Sequence, residues 1–210
     1  EWKMFIGGRG VPGNAAPIEI VNPATGEILG EAPTASNDDV AAAVAAAKDA
    51  YRSWRWTTPE QRAGMLYQIA DVIHANRDEL IDLETWENGK PRVQSAKDVI
   101  TAERTVRLYA AAADKFYGQA VMDSRDEVRK VEFEPYGVVA AVIPWNWPPM
   151  HTADFGALAL ATGNTVVMKP APETPLSSLR IAELTAEILP PGVFNVVPGG
   201  VEPGAELVRH

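Results

Sequence analysis

Residues 137–149 have the sequence GVVAAVIPWNWPP, in which seven small or apolar residues end at a loop rich in tryptophan and proline. A short apolar run with several valines is typical of a buried strand, here residues 137–143. Because prolines flank Asn146 on both sides and fix several φ angles, we expect a stiff loop, not a helix, after this strand. Open α/β sheets bind ligands just beyond the carboxyl ends of their strands. Asn146 is therefore a candidate binding residue, and the alternative is that its side chain caps the next turn.

The same pattern recurs twice toward the C-terminus. Strands are predicted over residues 165–168 and 193–197, so that strand starts are spaced by about 28 residues. Helices are predicted over residues 150–162 and 176–189, and another begins near Gly204. This alternation indicates right-handed βαβ units in a parallel sheet and an α/β fold.

The preceding residues predict a hairpin followed by a helical layer. Apolar residues flank a turn at residues 22–27, and we expect Ser36 and Thr58 to cap two helices. Two more helices are predicted over residues 80–86 and 93–113. A sheet with only three parallel strands would leave its edges open, so we expect the chain to be a fragment of a larger domain.

Composition narrows the classes of function. Of the residues, 46% are hydrophobic and 22% are charged, and no apolar run approaches the ~18 residues that span a bilayer, which argues against a membrane protein. The 28 acidic residues outnumber the 19 basic ones, so the net charge repels nucleic acid. Without cysteine, and with three scattered histidines, the chain holds no thiol nucleophile, and we expect no metal cluster. The first residues lack the features of a secretion signal, which predicts a cytoplasmic protein.

No Gly-x-Gly-x-x-Gly motif follows any of the three strands. The second strand leads instead to Lys169 and Glu173, a cation and a carboxylate that could hold a phosphate or a ribose. The alternative is a proline-rich connection with solvated charges. We expect His151 to be packed or solvated, and three acidic residues to form a solvated helix face: Asp82, Glu84 and Glu87.

Several motifs in order resemble the NAD(P)-dependent aldehyde dehydrogenase superfamily. They are the loop Pro144-Trp145-Asn146-Trp147-Pro148, the segment ATGNTVVMKP at residues 161–170, Thr174-Pro175, the segment PGVFNVVPG at residues 191–199, NPATGE at residues 22–27 and ENGKP at residues 87–91. The resemblance therefore covers nearly the whole chain. It implies a Rossmann-like parallel sheet and the oxidation of an aldehyde to a carboxylic acid with NAD or NADP, through a cysteine thiolate.

The resemblance also implies roles for individual residues. Asn146 matches the catalytic asparagine that stabilises the oxyanion, and Lys169 matches the lysine that meets the adenosine ribose. The implied cofactor-binding residues are Ile143, Pro144, Trp145, Asn146, Lys169, Pro170, Ala171, Glu173, Gly199 and Gly204.

Three departures from the family pattern affect these roles. The carboxylate that meets the ribose diol stands one residue later, at Glu173, which leads us to expect dual use of NAD and NADP. The active-site lysine of the next helix is replaced by Phe155. The stretch with the catalytic cysteine and the general-base glutamate lies beyond residue 210, so the chain alone is expected to be inactive.

The resemblance divides the chain into three segments. Residues 1–119 supply the first strands and helices of the cofactor-binding domain, residues 120–135 project as a β segment for oligomerisation, and residues 136–210 form the truncated core. Alternation of Val131 and Phe133 with charged residues supports a strand in the projecting segment. We expect a homodimer or a homotetramer. The alternative function is a non-catalytic, truncated nucleotide-binding or scaffold subunit.

Overall fold

The computed structural model describes every residue from Glu1 to His210. The strands are β1 Met4–Ile6, β2 Arg9–Val11, β3 Ala15–Val21, β4 Ile28–Thr34, β5 Gln119–Met122, β6 Val128–Val131, β7 Val138–Val142, β8 Thr165–Lys169 and β9 Phe194–Val196. The helices are α1 Asn37–Trp54, α2 Pro59–Ala75, α3 Arg77–Asn88, α4 Arg92–Ala112, α5 Pro148–Ala161, α6 Leu176–Leu184 and α7 Val201–Arg209.

A five-stranded sheet in the order β2-β1-β9-β8-β7 organises the fold. Strands β7, β8 and β9 are parallel, as the repeated strand–helix pattern predicts, and the α/β fold class is confirmed. The prediction that both edges of a three-stranded sheet lie open is wrong at β9. Strand β1 pairs antiparallel with β9, with Phe5 opposite Val196, and β2 pairs with β1. Only the β7 edge of the parallel part has no neighbouring strand.

Helices cover both faces of this sheet, so the side chains of β8, the middle strand of its parallel part, are buried on both sides. Val166 and Met168 of β8 belong to a core shared with α2, α4, α5 and α6. Val167, between them, packs with α1 and α7 on the opposite face. This alternation follows from the two-residue period of a strand and explains why β8 is apolar at successive positions.

The helical layer begins where its capping residues predict. Thr58 Oγ1 accepts a hydrogen bond from Gln61 N at 3.3 Å, and Gln61 Oε1 accepts one from Thr58 N at 2.9 Å. Ser36 and Asp39 form the same reciprocal capping box at the start of α1. Both predicted helix starts are confirmed, because these signals depend only on neighbouring residues.

Several boundaries differ from the predictions, and α3, for example, spans Arg77–Asn88 instead of residues 80–86. Helix α5 begins at Pro148, within the stretch expected to be a stiff loop, since a proline is tolerated in the first helical turn, where its missing N–H has no intrahelical partner. Helix α6 ends at Leu184, and the chain then continues in turns to about residue 188. Helix α7 begins at Val201, so Gly204 lies inside the helix rather than at its start.

Two antiparallel hairpins lie outside the main sheet: β3 with β4, and β5 with β6. Every residue of β5 and β6 is exposed. The alternation at residues 131–133 does not extend the strand, because β6 ends at Val131 and the Phe133 side chain is exposed. None of the seven helices combines the length and the apolar character that crossing a bilayer requires.

Candidate functional site

Asn146 lies in the short loop between β7 and α5, at the carboxyl edge of the parallel strands. Its side chain is partly exposed, and its amide nitrogen donates no hydrogen bond within the chain. Its Oδ1 lies 3.3 Å from His151 Nε2. The alternative in which the Asn146 side chain caps the next helix is wrong, since α5 has no side-chain cap. The amide is thus available to a ligand at the edge where open α/β sheets bind them.

The end of α3 and the turn that follows it hold the backbone of this loop. Asn88 Nδ2 donates to the carbonyl oxygen of Trp145 at 2.7 Å, and Lys90 Nζ donates to that of Asn146 at 2.6 Å. Thr174 Oγ1 approaches the same Trp145 oxygen at 3.4 Å. Two consecutive carbonyl groups are thereby fixed by side chains more than fifty residues away, which immobilises the backbone that carries the Asn146 side chain.

Lys90 is itself held by two carboxylates. Its Nζ lies 2.7 Å from Glu84 Oε1 and 2.8 Å from Asp98 Oδ2. Burial raises the pKa of Glu84 to about 8, because the cost of desolvating its charged form exceeds the stabilisation by Lys90, and the neighbouring charge of Asp98 raises the pKa further. Because one ammonium group serves two carboxylates, this cluster favours retaining a proton on Glu84 near neutral pH.

Glu87, one helical turn further on, caps another helix. Its side chain accepts hydrogen bonds from the backbone N–H groups of Leu176 and Ser177, at 2.6 Å and 3.0 Å, and from Ser177 Oγ at 2.5 Å. Burial raises the pKa of Glu87 to about 7 in spite of these donors. The expectation of a solvated face is therefore wrong for Glu84 and Glu87, whose side chains are buried beneath the site.

Lys169, the last residue of β8, is buried with only 5% of its surface exposed. Its Nζ donates to the carbonyl oxygens of Pro170 at 2.6 Å and Gly199 at 2.9 Å. Burial lowers the pKa of Lys169, and the nearby charge of Glu173 opposes that shift. An ammonium group has three donors, so one remains for a ligand. The alternative of solvated charges is wrong for Lys169, whereas Glu173 is exposed.

Gly199 and Gly204 lie close to the Lys169 side chain. A Cβ at Gly204 would lie 3.3 Å from Lys169 Cδ, and one at Gly199 would lie 2.6 Å from Pro203 Cγ. Gly199 has a φ of 144°, a conformation that side chains disfavour. The two glycines therefore let α7 and its preceding loop approach the carboxyl end of β8.

Several of the predicted site residues lie close together at the carboxyl ends of β7 and β8. The Ile143 N–H donates to the Lys169 carbonyl oxygen at 3.0 Å, which joins the ends of β7 and β8. Trp145 and Glu173 line one open cleft. The side chains of Ile143 and Ala171 are buried, so only their backbone can face a ligand.

Comparison with known proteins agrees with this geometry. The sequence matches the aldehyde dehydrogenase family over residues 11–210. The chain belongs to this family. The resemblance drawn from the sequence motifs is thereby confirmed.

Three relatives align with nearly all of this chain, whereas this chain aligns with less than half of each of them. The NADP/NAD-dependent aldehyde dehydrogenase PuuC of Escherichia coli (strain K12) is 38% identical over 100% of this chain and 44% of its own length. The mitochondrial aldehyde dehydrogenase of Leishmania tarentolae is 38% identical over 99% of this chain and 43% of its own. An NAD+ complex of aldehyde dehydrogenase from Bacillus cereus superposes with a TM-score of 0.97, at 41% identity, over 100% of this chain and 44% of that chain. The chain thus spans less than half the length of these family members.

The structure also describes Phe155, where the sequence led us to expect a departure from the family pattern. The Phe155 side chain is exposed, and its ring stacks on that of His151 with ring centroids 5.7 Å apart. Asp154 accepts a hydrogen bond from the Tyr109 hydroxyl at 2.8 Å. The supporting residues Asn88 and Lys90 belong to the ENGKP motif that carried the resemblance, but their contacts with the loop are not readable from the sequence alone.

Proposed function

We propose that this chain forms the cofactor-binding part of an NAD(P)-dependent aldehyde dehydrogenase, which oxidises an aldehyde to a carboxylic acid. The observation that carries the proposal is the Asn146 amide, free to donate and held at the carboxyl edge of the parallel sheet in a member of this family. The relative from Escherichia coli is named for use of both NADP and NAD, and that from Bacillus cereus was solved with NAD+.

In the proposed reaction, Asn146 supports the attack of a thiolate on the aldehyde carbonyl. The carbonyl oxygen becomes negatively charged as the tetrahedral adduct forms, and the Asn146 N–H groups donate hydrogen bonds to it. Such a donor typically contributes roughly 3 kcal/mol of transition-state stabilisation. The chain contains no cysteine, so these 210 residues do not supply the thiolate, and we propose that they are inactive by themselves.

The residues at and beyond the carboxyl ends of β8 and β9 fit a dinucleotide. The unused Lys169 donor suits a ribose hydroxyl, and Gly199 and Gly204 keep side chains away from the adjoining space. A bound nicotinamide supplies an acceptor for the hydride that leaves the substrate carbon. The exposed Glu173 carboxylate suits the ribose diol of NAD and disfavours the 2′-phosphate of NADP, whereas Lys169 attracts it.

Substitution of Asn146 by alanine in the complete protein tests this proposal. We expect turnover to fall by about two to three orders of magnitude while the affinity for NAD(P) stays nearly intact, because only the transition state uses this donor. Steady-state kinetics and cofactor titration measure both quantities. Asn37→Ala, at the exposed start of α1, is the matched control and should leave turnover unchanged. Unchanged turnover in Asn146→Ala would exclude the oxyanion role.

The alternative is a non-catalytic, truncated nucleotide-binding or scaffold subunit that binds the cofactor without turnover. The same measurements separate the two functions. A complete protein that binds NAD(P) but oxidises no aldehyde supports the alternative, and one that turns over supports the enzyme.

A further inference from the structure

His151 is fixed in the first turns of α5, beside Asn146. Its ring lies between two aromatic side chains, with centroid distances of 5.8 Å to Trp147 and 5.7 Å to Phe155. Its Nε2 is 3.3 Å from Asn146 Oδ1. The expectation that His151 is merely packed or solvated therefore leaves out its polar contact.

The hydrogen bonds available to the His151 ring favour one tautomer in its contact with Asn146. His151 Nδ1 is buried and has no hydrogen-bond partner. Burial lowers the pKa of His151, which favours a neutral ring with a single N–H. If that hydrogen were on Nδ1, a buried donor would have no acceptor, which is costly. If the hydrogen is on Nε2 instead, the Nε2–H group donates to Asn146 Oδ1, and only the unprotonated Nδ1 lacks a hydrogen-bond partner.

The orientation of the Asn146 amide depends on this contact. The terminal torsion of an asparagine is broad, so the amide nitrogen and oxygen can exchange places at little intrinsic cost. Asn88 and Lys90 bind backbone carbonyl groups and leave that torsion free. His151 is the residue whose hydrogen bond distinguishes the amide oxygen from the amide nitrogen.

We propose that His151 is a positioning residue, whose Nε2–H donates to Asn146 Oδ1 and thereby directs the Asn146 amide N–H groups toward the substrate oxyanion. This inference rests on the proposed function. In the opposite orientation, the amide oxygen would face the developing negative charge and repel it. His151 touches neither substrate nor reacting atoms and acts through Asn146.

Two substitutions at His151 in the complete protein separate positioning from packing. His151→Met fills a similar volume without a donor, whereas the amide of His151→Gln can still donate to Asn146 Oδ1. We expect His151→Met to lower kcat by roughly 10- to 100-fold, as misplaced catalytic groups do, with little change in the KM for NAD(P). His151→Gln should recover most of that loss.

A double-mutant cycle tests whether the effect passes through Asn146. In an Asn146→Ala background, His151→Met should cause no further loss of kcat, because the positioned amide is gone. An equal loss in both backgrounds would overturn the inference, as would full activity of His151→Met alone.

The tautomer of His151 provides a readout that needs no turnover. ¹⁵N nuclear magnetic resonance of histidine-labelled protein, assigned by the missing signal of His151→Gln, should show a neutral ring protonated at Nε2 near pH 7. A ring protonated at Nδ1, or at both nitrogens, would overturn the inference even in an active enzyme. If the wild type oxidises no aldehyde, the proposed function fails, and the role of His151 toward an oxyanion fails with it. If the wild type is active, the variants and the tautomer decide on His151 alone.

Discussion

The charge state of Glu84 depends strongly on the fold. Its pKa is about 8 in the folded chain, against an ordinary value of 4.5. Between these values, the folded chain keeps a proton that the unfolded chain has released. Linkage then requires that the stability contributed by this group falls as the pH rises from about 5 to about 8.

Glu84→Gln tests this pH dependence by keeping the shape of the side chain and removing its ionisation. We expect the variant and the wild type to have similar free energies of unfolding at pH 5, and the variant to gain on the order of a few kcal/mol relative to the wild type by pH 9. Urea unfolding at several pH values measures the difference. Glu187→Gln, at an exposed position, is the control and should have the same free energy of unfolding as the wild type at each pH. A stability difference independent of pH would contradict the assignment.

Glu173 is the residue that we expect to decide between NAD and NADP. It is exposed, and its charge acts on Lys169. Glu173→Gln removes the repulsion of a 2′-phosphate, so the ratio of kcat/KM for NADP to that for NAD should rise roughly fivefold, about 1 kcal/mol for an exposed charge. Glu187→Gln again serves as control. A very large NAD preference of the wild type would contradict dual use, and an unchanged ratio in the variant would remove Glu173 from cofactor selection.

For single residues, the sequence predicted where a site residue stands better than it predicted which other residues contact it. Asn146 could be found because an apolar run followed by a proline-rich loop marks the end of a strand. Lys90, Glu84 and His151 could not be assigned in the same way. Acidic residues on a helix are usually solvated, and only the packing of α3 against its neighbours buries Glu84.

Helix α6 depends on a cap supplied by another helix. It has no side-chain cap of its own, and its first N–H groups donate to Glu87 of α3 instead. Glu87→Ala would leave these buried donors unpaired. We expect a loss of about 2–4 kcal/mol in the free energy of unfolding, measured by urea denaturation. Glu187→Ala, beyond α6 and exposed, should cost little. Equal stability of the two variants would show that water replaces the Glu87 cap.

The contrast between these caps explains which elements the sequence could define. The capping box of Thr58 and Gln61 lies within four consecutive residues, so the local sequence alone predicts the start of α2. Glu87 stands 89 residues before Leu176, and no local pattern connects them. Helix α5 is a different case, because Pro148 and Pro149 are local to its start but a proline is compatible both with a loop and with the first turn of a helix.

Across the whole molecule, the parallel strands and their order along the chain were predictable, and the pairing of β1 with β9 was not. Strands β7, β8 and β9 repeat at a regular spacing with helices between them. Strand β1 is only three residues long, and its pairing of Phe5 with Val196 joins residues from opposite ends of the chain. A contact so distant in sequence leaves no periodic signal, although the β1 residues are buried.

The β5–β6 hairpin is the part of the molecule that we propose to mediate assembly. Its apolar side chains are exposed on both faces, with Met122 opposite Val128 across the ladder. A two-stranded hairpin without a covering layer is marginally stable in water, so a second copy of the chain would both cover these side chains and stabilise the ribbon. Symmetric dimers or tetramers satisfy this requirement for each copy at once.

The double substitution Met122→Lys with Val128→Glu tests this assembly without breaking the hairpin. Opposite charges across a strand pair support the ribbon, while the apolar contact surface is lost. In the complete protein, sedimentation velocity should show a dimer or tetramer for the wild type and a smaller species for the variant, with unchanged circular dichroism. Val93→Lys, an exposed apolar position on α4, should leave the oligomer intact. A monomeric wild type, or an oligomer that survives the double substitution, would contradict assembly through this hairpin.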